Sequence, residues 1–86
     1  MLVVKLDRSK YPWRGVKKAE ELDLLLKDVE RLAKEGKIRE AIIVLFKWKP
    51  HASIEYLAKR LGVSEKVIRE AVEKMVAERI AEIEEV

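Results

Sequence analysis

The chain has no cysteine, asparagine, glutamine or threonine. Without cysteine it has no disulfide framework, no thiol nucleophile and no zinc–cysteine site. The missing amides matter for nucleic-acid reading, because Asn and Gln are the side chains that pair bidentately with adenine in the major groove. Any base reading would fall to Arg, Lys, Ser, Glu, His or apolar contacts. Lack of thermolabile amides beside abundant Lys, Arg and Glu points to a hyperthermophilic source; a deliberately idealised sequence is the other reading. Histidine occurs once, as His51 beside Pro50, so no Ser/His/Asp arrangement for acid–base or nucleophilic work is suggested. Three glycines do not make a phosphate-cradling loop. No apolar run approaches the roughly 20 residues that cross a bilayer. Met1–Leu6 is too short, and too soon followed by charge, to read as a leader, so a cytoplasmic location is the expectation.

What is present is charge and aliphatic bulk. Of 86 residues, 41% are charged and 49% apolar, which suits one small, mostly helical domain. The net charge of +3 is unevenly spread. Residues 1–18 carry +5, 19–46 carry −2, 47–64 carry +3 and 65–86 carry −3. Alternating basic and acidic segments fit a folded domain with one basic face better than a uniform polycation.

Leu2–Leu6 (LVVKL) reads as a short strand that needs a partner. Residues 7–15 form an arm in which Arg8, Lys10 and Arg14 alternate with Tyr11 and Trp13. Such interleaving can grip a nucleic-acid backbone and stack on bases, or Trp13 can simply pin the arm to the core. Residues 17–35 read as an extra helix with the stripe Leu22, Leu25, Leu26, Val29, Leu32 and Ala33. That stripe either covers the chain's own core or forms a dimer seam, with Leu24 lying off it. Ile38–Trp48 is apolar nearly all round and predicts a central helix, broken at Pro50.

From Ser53 to Met75 the sequence is SIEYLAKRLGVSEKVIREAVEKM. Leu57, Leu61, Ile68 and Val72 recur at helical spacing. Ala58 is small where two helices cross, Gly62 suits a positive φ, Val63 plugs the turn, and Ser53 and Ser64 are N-cap residues. This pattern resembles the helix-turn-helix of transcription regulators, tightly over about 23 residues, and more loosely the winged-helix domains over residues 38–83. The resemblance implies a tri-helical, winged-helix-like core over residues 37–86, preceded by the strand, arm and extra helix. Winged-helix proteins place a strand after the second helix of the motif, usually behind a glycine, where this chain has Arg79. The last residues either continue that helix or form a strand, Ile80–Val86; the strand is the expectation, pairing with Leu2–Leu6, with any wing absent or reduced to chain ends.

The resemblance further implies that the helix after the turn enters the major groove of double-stranded DNA. Ser64 and its free amides would hold a phosphate. Arg69 would read guanine through its planar fork, and Lys66 would reach guanine or a phosphate. Glu65 would accept from cytosine or neutralise Arg69. Lys59, Arg60 and Lys49 would follow the phosphate backbone, extended by Lys47 and His51, with Arg14 and Lys17 gripping from the arm. Against this, Glu65, Glu70 and Glu73 balance Lys66, Arg69 and Lys74 on the outer face. Two readings follow: a DNA-binding regulator acting as a homodimer, or a protein–protein adaptor or assembly subunit without nucleic acid. An enzyme, a cofactor and a metal site are not expected. Glu30–Lys34, Glu55–Lys59, Glu65–Arg69 and Glu70–Lys74 sit at the spacing of ordinary helix-surface ion pairs.

Overall fold

A computed structural model describes residues 1–7 and 15–86. In chain order run strand β1 (Leu2–Leu6), helices α1 (Ala19–Lys34) and α2 (Ile38–Leu45), strand β2 (His51–Ser53), helices α3 (Ile54–Leu61) and α4 (Glu65–Ala77), and strand β3 (Ala81–Glu85). The fold is mainly helical, with an antiparallel three-stranded sheet ordered β2-β1-β3. No helix among the described residues is long and apolar enough to cross a membrane.

The α1 stripe is spent on the chain's own core. Leu25 and Val29 are buried, and Leu26, Leu32 and Ala33 pack against the central cluster. The helix stops because Gly36 takes φ +78°, letting the Gly36 and Lys37 amides donate to the Ala33 and Leu32 carbonyls. Helix α2 buries Ile38, Ala41, Ile42 and Leu45, followed by Phe46. It is shorter than the expected Ile38–Trp48. Tight i to i−3 bonds, from Lys47 N–H to the Val44 carbonyl and from Trp48 N–H to Leu45, take over after Leu45. Pro50 then biases Lys49 away from helical angles.

The motif closes as its residues dictate. Ser53 Oγ accepts from the Tyr56 amide at 3.0 Å, and Ser64 Oγ from the Val67 amide at 3.3 Å. Gly62 lies at φ +69°, and Val63 N–H donates to the Ala58 carbonyl at 3.1 Å. Leu57, Ala58, Leu61, Ile68, Val72 and Met75 are buried together.

The expected terminal strands do pair, in register from Leu2 opposite Glu85 to Leu6 opposite Ala81. Val4, fully buried at the centre of the sheet, faces Ala52 on one side and Ile83 on the other. The third strand, His51–Ser53, has only three residues and no alternation to announce it. It is made by β1, which offers a second edge to whatever backbone arrives there.

Arg79 takes the position expected of a glycine, at φ +60°. Its amide donates to the Val76 carbonyl and the Ile80 amide to Met75 at 2.8 Å, so the turn into β3 is a helix stop of the same kind as at Gly36. A side chain there costs roughly 1–2 kcal/mol of left-handed strain. Arg79→Gly should therefore stabilise the fold by about 0.5–1 kcal/mol, after the added chain entropy of glycine is deducted. A urea titration reads this as a higher midpoint with an unchanged slope; a lower midpoint would mean that the Arg79 side chain makes compensating contacts.

The surface pairs expected from helical spacing do not close. Among the described residues the ion pairs are Arg31 with Asp28 and Glu35, Lys37 with Glu35, Arg39 with Glu78, Lys5 with Glu84, and the Met1 ammonium with Glu85. The pairs that do form are exposed as well, so each is worth only a few tenths of a kcal/mol. The hydrogen bond from Arg31 to Asp28, with both neighbouring carboxylates, raises the pKa of Arg31.

Candidate nucleic-acid interface

The start of α4 is open to solvent. Ser64, Glu65 and Lys66 are exposed, and nothing of the described chain covers them. One flank of α4, with Val67, Glu70, Ala71 and Lys74, borders a hollow shared with Ile38 and Arg39 of α2. Arg39 crosses it to meet Glu78 at 2.7 Å. Away from that hollow, Lys66, Arg69 and Glu73 are exposed.

The expected contact residues fall into separate groups. Lys59 and Arg60 lie at the end of α3, beside Glu30 and Lys34 of α1, around a hollow of about 350 Å³. Arg60 Nε is enclosed without an acceptor. Lys34 thus adds a cation that sequence spacing did not assign to this group. Lys49 is held between two aromatic rings, its ammonium 4.4 Å from the Tyr56 centroid and 5.4 Å from that of Trp48. These distances suit cation–π attraction. Tyr56 stands one helical turn before Arg60, so a half-buried aromatic joins Lys49 to the basic end of α3.

Arg69 is set apart. It lines a hollow of about 320 Å³ with Glu55, Glu65 and Glu85 over a floor of Leu2 and Ile54. The Met1 ammonium also lines this hollow and pairs with Glu85 at 3.0 Å, so three carboxylates face two cations and the corner is net negative by one charge. The helical spacing assigns Glu55 to Lys59 rather than to this corner, and it gives Glu85 no role. Glu85 arrives through the β1–β3 register, which brings it opposite Leu2. Lys17 is exposed before α1, its amide donating to Glu21 at 3.3 Å. Arg14 and the other arm residues, Arg8, Lys10, Tyr11 and Trp13, lie outside the described residues.

Lys17, Lys18, Lys27, Lys34 and Arg79 have no ion-pair partner among the described residues, but the longest unbroken run of such cations begins at Lys47 and continues through Lys74. Lys5, Arg31, Lys37 and Arg39 have carboxylate partners. Lys47, Lys49, Lys59, Arg60, Lys66, Arg69 and Lys74 have none among the described residues. No group of side chains among the described residues is arranged to hold a metal ion. Comparison with known protein families, curated proteins and solved structures finds no match.

Proposed function

We propose that this chain is a winged-helix-like, helix-turn-helix domain that binds double-stranded DNA, as a homodimer in a regulatory role. The observation that carries it is the run of unpaired cations from Lys47 to Lys74, around an exposed, serine-capped start of α4. Unpaired ammonium and guanidinium groups keep their donors for phosphate. The order α2, β2, α3, α4, β3 supports the winged-helix comparison. Strand β1, from the other end of the chain, lies beside β3 where a wing hairpin would otherwise supply a strand. Most affinity then comes from Lys59, Arg60, Lys34 and Lys49 on the backbone, with little base reading from Arg69 in its acidic corner. Binding is accordingly tolerant of sequence.

Fluorescence anisotropy with a duplex over a salt series tests this. With about four phosphate contacts, affinity should fall by roughly 3.6 log units per decade of salt. Lys59→Ala should weaken all duplexes alike and reduce that slope by about 0.9. Absence of binding at the lowest salt defeats the proposal.

One observation favours the second reading, a protein–protein adaptor or assembly subunit. Glu55, Glu65 and Glu85 around Arg69 repel phosphate and suit a partner bearing lysine or arginine.

A further inference from the structure

Helix α1 carries a second, outward line of residues. Glu21, Leu24, Leu25 and Asp28 follow the i, i+3, i+4, i+7 spacing of one helix face. Leu25 reaches the core, whereas Leu24 is 67% exposed. With Val16 and Val44 these residues line an apolar cleft of about 320 Å³ between α1 and α2. The lip on α1 carries the carboxylates of Glu21, which accepts from the Lys17 amide, and of Asp28, which Arg31 meets at 3.1 Å; the lip beyond α2 carries Lys47. Lys47 is exposed and has no ion-pair partner among the described residues.

We infer that this cleft is the face through which two copies of the chain associate. The argument is charge complementarity within one patch. An isologous contact sets the same surface against itself. A two-fold axis through the middle of the cleft lays each Leu24 against the partner's cleft and carries each Lys47 across to the carboxylate lip of the other copy. Acid and base thus stand on opposite sides of the same apolar centre, as self-pairing requires. A partner of a single charge sign would satisfy one lip and oppose the other. The α1 stripe is not available for the contact, because the core occupies it. The contact is small, so association falls in the roughly micromolar range. The inference stands apart from the nucleic-acid reading: a dimer that ignores DNA, or a monomer that binds it, separates the two.

Sedimentation velocity over about 10 to 500 µM in low salt provides the test. Wild type should move from monomer to dimer across that range. Leu24→Glu should remain monomeric, with an unchanged melting temperature, since the side chain contributes little to the core. Lys47→Glu alone should weaken association about 10-fold or more. Adding Glu21→Lys and Asp28→Lys to it reverses both lips and should restore the dimer. A wild type that stays monomeric throughout, or a Leu24→Glu variant that dimerises as well as wild type, overturns the inference. So does a charge-reversed triple variant that stays as weak as Lys47→Glu.

Discussion

Phe46→Ala should lower the unfolding free energy by about 3–5 kcal/mol. Phe46 follows the last turn of α2 and is 1% exposed. It belongs to the same core cluster as Ile42, Leu45, Leu57, Ile68 and Met75, all enclosed, so truncation leaves a void within that core. Its backbone is fixed by the hydrogen bond that its N–H donates to the Ile42 carbonyl at 3.0 Å and by the tight turn that follows. The site therefore has little freedom to collapse. For a domain of this size the melting temperature should fall by roughly 15–30 °C. Calorimetry or a circular-dichroism melt checks this; a loss smaller than about 1 kcal/mol would place Phe46 outside the core.

The second large effect is a gain. Replacing Glu55, Glu65 and Glu85 together with glutamine should tighten duplex binding about 10-fold at low salt. Each carboxylate removed relieves a repulsion of about 0.5 kcal/mol at an exposed site. The same change lifts the negative field beside Arg69, so preference among sequences should sharpen as affinity rises. An adaptor with a basic partner responds in the opposite sense, losing that partner. Anisotropy on the triple variant, beside pull-down with a lysine- and arginine-rich peptide, separates the two functions. Unchanged binding to DNA would mean that the α4 corner never approaches the duplex.

What could be read from the residues was local. Gly62, Ser53 and Ser64 each have a single stereochemical or hydrogen-bonding task within a few positions of themselves, and each performs it. The pairing of Leu2–Leu6 with the last strand was reached by elimination, since that run had no other partner. Strand β2 was not legible, because His51–Ser53 is extended only where β1 supplies an edge. Arg79 hid a left-handed turn behind a residue type that rarely makes one. The grouping of charges was the least legible part. Lys34 reaches Lys59 and Arg60 from α1, and Glu55 and Glu85 close around Arg69 from two other elements. No spacing rule within one helix reports such meetings, and the rule that was applied, four residues apart on one helix, named pairs that do not form.

The middle position of β1 in the sheet sets the timetable of folding. Its neighbours are Ala81–Glu85, which follow nearly the whole chain later, and His51–Ser53. Closing so long a loop carries an entropic delay, and contacts distant in sequence slow the final step. On the ribosome, helices α1 to α3 can gather while synthesis continues, but β1 must wait for the much later β3 before the sheet is complete. Until then the open edge of its valine-rich strand is exposed to other nascent chains, which makes that interval the stage at which this protein is most open to misassembly.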